Sequence, residues 1–481
     1  MDADYRIGDR LVGLGGTHSL TAEEASILNA GGRAIVLPDR IGFVDADITE
    51  RCADGVSRAR AAFGVLAQVS DDKISDFFER FAAYLEDDDR FSTIASANAR
   101  DVADAQQRGR STGRLSITEK MRSEMVESAR LWASSDVRKE SVAEQIEHEG
   151  WSVEKIASPL GVVAFVFEGR PNVCVDATGV LRTGNSCVFR IGSDALGTAR
   201  AIMSTCLRPA LVESGLPEDA VVLLDESDRS SGWALFSDRR ISLAVARGSG
   251  QAVSDLGFVA QSNGISTSLH GTGGAWMILG ETVEIGWFAE TFRHSLDRKV
   301  CNTLNVCCAP VSRWREVGNV IATHLDEFAR AKGSRATLHV VGLAAGDAEF
   351  LQRGHVDVHI DSTDNLATEW EWDDVPELFF VVTESVKDSL DLCNRYSPQF
   401  VASVLGTDQA EQDLAWQILN APFVGNGFTR WVDGQYALGR PELGLSNWQN
   451  GRSLARGGIL SGDDIRTYRY RMRQTNPSVH R

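Results

Sequence analysis

Hydrophobic positions recur at two different spacings along the chain, and the change of spacing divides it. From about residue 50 to 145 the spacing is helical. The stretch SDDKISDFFERFAAYLEDD places Ile74, Phe77, Phe78, Phe81, Tyr84 and Leu85 on one face, with Ser70 positioned to cap it. A second helix is predicted over STIASANARDVADAQQRG, stopping at Gly109, and a third over ITEKMRSEMVESARLWASS with Thr118 as its cap. The first 48 or so residues read as a separate small element. There Thr21 and Glu24 fit a capping box, Gly31-Gly32 ends the helix, and RAIVLPD is a short strand stopped by Pro38.

Near residue 150 the period changes. EGWSVEKIAS reads as extended and partly exposed. GVVAFVF (161–167) is a near-continuous apolar run, the pattern of a parallel strand buried on both faces. Helical NVCVDATGVLRTG, ended by Gly184, and strand SCVFRI follow. Next come a long helix bent at Pro209, a strand in GLPEDAVVLLDE, a helix in DRSSGWALFSD and the strand-plus-loop ISLAVARGSG. Alternating strand and helix predicts an α/β fold with a parallel sheet, and such a sheet binds ligands beyond the C-terminal ends of its strands. A second α/β stretch begins near residue 264, with strands RATLHVV, VDVHID and LFFVVTES. After about residue 436 the chain turns glycine-rich.

Composition narrows the function classes. The chain has 481 residues, enough for two or three domains, and a net charge of -18. An acidic surface disfavours non-specific binding to nucleic acid and to anionic lipid. No apolar run approaches the ~20 residues of a membrane span, and the N-terminus lacks the basic and apolar regions of a signal peptide. The eight cysteines are scattered, with no C-x-x-C pair, which argues against a disulfide framework or structural zinc and for a reducing cytoplasm.

Candidate chemistry gathers in few places. GLGG (13–16), RGSG (247–250) and GTGG (271–274) are glycine loops, none of them a full dinucleotide fingerprint or a Walker loop. RGSG draws most interest because it follows an apolar strand and carries Arg247. HVDVHID puts His355, Asp357, His359 and Asp361 on one strand face, either a metal site or a solvated face. SLDRKVCNTLNVCC holds three cysteines. Cys301 is either a nucleophile or a buried thiol. Arg298 and Lys299 would favour its thiolate if they point towards it, and Asn302 offers an amide donor beside the sulfur. Cys307 and Cys308 read as strand packing.

Several segments then line up in order. SPLGVVAFVFEGRPNVCVDATGVLRTGNSCVFRIGSDAL, GLPEDAVVLLDESDR, ISLAVARGSG, KVCNTLNV and ALGRPELGLSNWQNGRSLARGG resemble the γ-glutamyl phosphate reductases (glutamate-5-semialdehyde dehydrogenases), a branch of the aldehyde dehydrogenase superfamily. The matched positions include Pro159, Gly161, Glu168, Arg170, Pro171, Asn172, Gly184, Asn185 and Arg190. The resemblance runs from about residue 50 to 472. It implies an aldehyde dehydrogenase-like α/β fold. Residues 49–146 and 158–263 would be a Rossmann-like cofactor domain and 264–436 a catalytic domain. Segments 147–157 and 437–472 would serve oligomerisation, and 1–48 would be an extension.

The resemblance also implies an activity. Cys301 would be the catalytic nucleophile, with Asn302 and Asn172 beside the reaction. Arg170, Arg298, Lys299 and Arg456 would hold substrate or its phosphate. Glu168, Arg190, Gly192, Ser193, Arg247, Gly248 and Gly250 would hold the cofactor, NADPH, with NADH left open. The substrate would be a small acyl phosphate reduced to an aldehyde by a homodimer or higher homo-oligomer. The region matching the glutamate-bearing segment of hydrolytic aldehyde dehydrogenases is SLHGTGGAWMI, without a carboxylate, as suits reduction of an activated acyl group. The departures are Arg298-Lys299 in place of Pro-Gly and Ser193-Asp194 in place of a lysine-bearing segment. Two alternatives stand beside this reading: a reductase of CoA- or carrier-bound thioesters, and a non-catalytic binding relative.

Overall fold

The computed structural model describes residues 4–480 except 111, 440, 450 and 452–457. The chain divides into two compact units, one of residues 1–269, 438–445 and 454–481, the other of 270–437 and 446–453.

The first unit is built on a five-stranded sheet. Its order is Ser266–His270, Ile241–Arg247, Val162–Phe167, Ser186–Ile191, Val221–Leu223. The central pairings are parallel. Strand Val162–Phe167 is buried at every position, which is why its sequence is apolar without alternation. Val163, Phe165 and Phe167 face a core shared with helices Asp71–Glu86 and Glu119–Ala133. Val162, Ala164 and Val166 face the opposite core, against helices Ala46–Leu66 and Gly250–Ser262. The chain order reverses between Val162–Phe167 and Ile241–Arg247, which are neighbours. That reversal opens a crevice at the strands' C-terminal ends.

The caps expected at Thr21, Ser70 and Thr118 form, each side chain accepting an N–H of the first turn. The long helix at 196–213 does not simply bend at Pro209. A π turn over Met203–Leu207 separates its two halves, and this wider turn takes up the hydrogen bond and space that Pro209 denies the helix. Residues expected to form a separate element at 1–48 instead share the second core through Leu37, Val44 and Ile48. A three-stranded antiparallel sheet of Ser141–His148, Trp151–Pro159 and Arg466–Gln474 completes the unit.

The second unit holds a seven-stranded sheet. Its order is Val356–Ile360, Ala336–Val341, Glu377–Thr383, Leu304–Pro310, Ala275–Leu279, Val401–Leu405, Phe423–Gly425, with every pairing parallel. Cys307 and Cys308 lie on strand Leu304–Pro310 and point into the cores on opposite faces. Among the described residues no helix is long and apolar enough to cross a membrane.

Candidate active site and cofactor cavity

Cys301 precedes the central strand Leu304–Pro310, so it lies at the N-terminal edge of the second sheet. All eight cysteines are free. Seven are buried, and Cys301 alone is half-buried. Burial pushes the thiols of Cys52 and Cys393 up to about 12 and those of Cys174, Cys187, Cys206, Cys307 and Cys308 upward as well. A thiol in such surroundings is inert, because the thiolate is the nucleophile.

The loop that carries Cys301 is fixed by its backbone. Gly274 N–H donates to the Cys301 carbonyl at 2.8 Å, and Thr303 Oγ1 both accepts from Val300 N–H (2.9 Å) and donates to the Arg298 carbonyl (2.6 Å). The GTGG loop lies directly against it. A Cβ built on Gly273 would stand 2.7 Å from the Cys301 carbonyl oxygen and 2.8 Å from its Cα. Only glycine permits that approach. Asn447, 4 % exposed, donates to the Thr272 carbonyl at 2.8 Å, and its Oδ1 is buried without a hydrogen-bond partner among the described residues.

Two expectations about the neighbours of Cys301 need correction. Lys299 does not offer a spare charge. Its side chain is 5 % exposed and its Nζ meets Glu369 Oε1 at 2.7 Å, while the other oxygen of Glu369 accepts Gly273 N–H at 2.5 Å. Lys299 and Glu369 thus form a strut between the cysteine loop and the GTGG loop. Nor is Asn302 an amide presented beside the sulfur. It is 3 % exposed, its Nδ2 donates to the Val432 carbonyl (2.8 Å), and its Oδ1 accepts from Arg430 (2.5 Å). Arg430 in turn pairs with Asp297 at 2.7 Å. Asn302 therefore fastens the loop from behind. Arg298 is exposed, and Arg456 lies outside the described residues.

In the first unit a cavity of about 520 Å³ opens at the switch point of the five-stranded sheet. It brings together Glu168, Arg190, Gly192, Ser193, Arg247 and Gly248, six of the seven expected cofactor residues. They come from the C-terminal ends of strands Ser186–Ile191 and Ile241–Arg247 and from the loops that follow these strands and Val162–Phe167. Gly250 stands just behind, as the first residue of helix Gly250–Ser262. Gly192 N–H donates to the Phe167 carbonyl and Glu168 N–H to the Arg247 carbonyl, which ties the three loops together. Arg170 pairs with Glu168 at 2.5 Å. Asn172 is half-buried at the start of helix Val173–Thr178.

Charge in this cavity is mostly matched. Arg247 meets Asp176 at 3.3 Å. Burial first, with Glu442 adding repulsion, pushes the Asp176 carboxyl from its ordinary 3.8 up to about 7, although Arg247 and Arg170 pull the other way. Asp194 takes Arg110 at 2.5 Å and Arg108 at 3.0 Å. The cavity suits a phosphate-bearing ligand on three counts. A Cβ on Gly248 would stand in open space. Helix Gly250–Ser262 begins there with no side chain capping its first N–H groups, and such an end attracts anions. Arginines 190, 229 and 247 line the wall.

The residues of HVDVHID take ordinary partners. Asp357 pairs with Arg335, Asp361 with His339 and His355 with Asp326. Among the described residues no group of three or more His, Cys, Asp or Glu side chains is placed to hold a metal ion. Glu369, Arg430, Asn447, Arg40 and Asp255 were not singled out from the sequence, because the partners that give them meaning lie far away along the chain.

Comparison with known proteins agrees with this architecture. No family model matches the chain. A curated protein from Afipia carboxidovorans named gamma-glutamyl phosphate reductase is 27% identical over 447 residues, 90% of this chain and 97% of that protein. The crystal structure of gamma-glutamyl phosphate reductase from Thermotoga maritima superposes with a TM-score of 0.77 at 23% identity, covering 90% of this chain and all of that one. An engineered glycolyl-CoA reductase with bound NADP+ superposes with a TM-score of 0.61 at 16% identity, covering 89% of this chain and 98% of that one. The chain thus has the aldehyde dehydrogenase-like fold and is similar, along nearly its whole length, to the γ-glutamyl phosphate reductases.

Proposed function

We propose that the protein is an NAD(P)H-dependent reductase that converts a small acyl phosphate, γ-glutamyl phosphate or a related activated carboxylate, to the aldehyde. The observation that carries this reading is Cys301. It is the one cysteine that is not buried, on a loop braced by Gly273, Asn302 and the Lys299–Glu369 strut.

Its thiolate attacks the acyl carbon, the carbon–oxygen bond to phosphate breaks, and phosphate leaves with the electron pair. The product is a thioester on Cys301. A reduced nicotinamide, when bound, supplies the hydride that reduces this thioester. The hemithioacetal on Cys301 then collapses, the aldehyde departs and the thiolate returns. No water is activated, so no free carboxylate base is required. Glu369, a carboxylate beside the cysteine loop, is already engaged by Lys299 and Gly273. Glu168, Arg190, Gly192, Ser193, Arg247 and Gly248 would hold the dinucleotide in the first unit's cavity, whose volume suits a small-molecule site. NADPH is the favoured coenzyme, because arginines outnumber the acids of the lining and Asp194 is paired with Arg110 of the lining and with Arg108 outside it.

The antiparallel three-stranded sheet is read as the oligomerisation element. Strand Ser141–His148 is exposed along its whole length, and Val142, Ile146, Tyr468, Tyr470 and Met472 are exposed apolar side chains on its two outer strands. An open apolar edge of this kind invites pairing with a second copy. Light scattering of the purified chain should give at least a dimer. The free thiols suit a reducing compartment, the cytoplasm.

The test is a substrate panel. The protein is mixed with NADPH and either acyl phosphates or acyl-CoA thioesters, and NADPH absorbance is followed. Turnover of an acyl phosphate, abolished in Cys301→Ala, is expected. Turnover of acyl-CoA alone would transfer the reading to thioester reduction. Full activity in Cys301→Ala, or none with any activated acyl group, would refute the nucleophile assignment.

A further inference from the structure

The N-terminal extension reaches the cofactor cavity. Its second hairpin, Arg33–Val36 paired with Ile41–Val44, turns at residues 37–40, where Leu37 N–H donates to the Arg40 carbonyl at 2.9 Å. Pro38 fixes the backbone at the first corner of this turn. The turn is backed on one side by a first hairpin, Arg10–Gly13 paired with Gly16–Ser19, since a Cβ on Gly15 would stand 2.3 Å from the Asp39 carbonyl oxygen. On the other side the hairpin rests on Trp233, which a Cβ on Gly42 would meet at 2.7 Å and which itself lines the cavity. The extension is therefore built into the wall.

The turn presents Arg40 to the cavity, where it pairs with Asp255 and, through its other terminal nitrogen, with the exposed Asp39 of the turn itself at 2.7 Å. The Asp255 side chain is 3 % exposed and stands on helix Gly250–Ser262, whose first turn faces the cavity. Its other oxygen accepts Gln251 Nε2 at 2.9 Å. Among the described residues Arg40 is the one cation on Asp255. Arg110 is spent on Asp194 and Arg247 on Asp176, and Arg190 donates to the carbonyls of Ser227 and Asp228. A carboxylate left uncompensated there would repel the phosphates that the helix start attracts.

We propose that Arg40 is a positioning residue for coenzyme binding, which acts by cancelling the charge of Asp255 within the cavity wall. The proposal rests on the dinucleotide reading of that cavity. It gives the N-terminal hairpin a part in coenzyme affinity.

The experiment measures NADPH and NADH dissociation constants by calorimetry, without acyl substrate, for wild type, Arg40→Ala, Arg40→Lys, Asp255→Asn and the Arg40→Ala/Asp255→Asn pair. Circular dichroism checks that each variant folds. Arg40→Ala should weaken both coenzymes by on the order of tenfold, and Arg40→Lys should bind as wild type does. Asp255→Asn should bind at least as tightly as wild type, and the double variant should return to within about twofold of Asp255→Asn, since the charge to be cancelled is gone. Wild-type affinity in Arg40→Ala overturns the proposal. So does a double variant that stays weak, because Arg40 would then be a latch or a direct contact. Loss confined to NADPH overturns it too, in favour of direct contact with the 2′-phosphate. A wild type that binds neither coenzyme removes the dinucleotide reading itself, and the proposal with it.

Discussion

Replacing Lys299 by methionine separates two roles for the basic pair next to the nucleophile. Lys299 is 5 % exposed and meets Glu369, 16 % exposed, at 2.7 Å; Glu371, 3.9 Å away, is 67 % exposed. Removing one partner of a buried ion pair costs about 3–5 kcal/mol. Glu369 keeps its bond from Gly273 and some solvent, so the lower end applies, about 3 kcal/mol. For a unit of this size that lowers the melting temperature by roughly 6–12 °C. The Lys299→Met/Glu369→Gln pair removes both charges and should recover most of the loss. The thiolate should notice less. A cation already matched by an anion acts on a third charge only as a dipole, so the pH profile of Cys301 alkylation should move by less than about half a unit. The assays are differential scanning fluorimetry and iodoacetamide alkylation followed by mass spectrometry across pH. An unchanged melting temperature would refute the strut. An upward move of a full unit, about 1.4 kcal/mol, would refute the claim that Lys299 is electrostatically spent.

Other outcomes follow from the same geometry. Cys301→Ala should reduce aldehyde formation by on the order of 10⁴-fold or more while the melting curve stays near wild type, as read by NADPH absorbance and fluorimetry. Gly273→Ala forces a methyl against the Cys301 backbone and should cost about 1–3 kcal/mol and most of the activity, which urea denaturation and the same absorbance assay would measure. Asp176 supplies a pH dependence. Its carboxyl titrates near 7 when folded against an ordinary 3.8, so between these values the folded state binds the extra proton. Its contribution to stability is therefore greatest at low pH and is lost as pH rises through about 7. Against Asp176→Asn, wild type should lose stability between pH 5 and 8 in urea titrations, and a gain would contradict the burial argument.

Much of the fold was legible because its signals are local. Strand Val162–Phe167 is buried on both faces, and that alone makes its sequence apolar throughout. Ser70 and Thr118 announce their helices because a cap needs only its own first turn. The π turn before Pro209 was not legible. Proline marks a fault in the helix, but how the fault is relieved depends on what packs around it. The active loop divides in the same way. Cys301 was singled out from its own neighbours in sequence. The contacts of Lys299 and Asn302 were not legible, because the groups that hold them, Glu369 and Val432, lie 70 and 130 residues further on. Six of the residues expected at a cofactor share one cavity because each ends or follows a strand, and parallel strands deliver their C-terminal ends to one edge.

The acids around the two sites share one arrangement. The chain carries a net charge of -18, yet the proposed substrate and coenzyme are both anions. Three carboxylates, Asp194, Asp255 and Glu369, stand where they would hinder the binding of an anion. Each one comes with its own cation. Asp194 stands where Gly169 leaves room, a Cβ on Gly169 lying 3.3 Å from that of Asp194, and it takes both Arg108 and Arg110. Asp255 takes Arg40 from the extension, and Glu369 takes Lys299 beside the nucleophile. The two pairs in the cofactor cavity add little net stability, because their arginines are nearly half exposed and solvent screens the attraction. Their effect is on the local field: they hold the loops in place while leaving the exposed backbone N–H groups and Arg229 to meet phosphate. A single substitution that strips one of these cations should therefore harm anion binding more than it harms the fold in the first unit's cavity, where the phosphates of the proposed coenzyme would lie. At Lys299 the order should reverse, because the strut carries the loop.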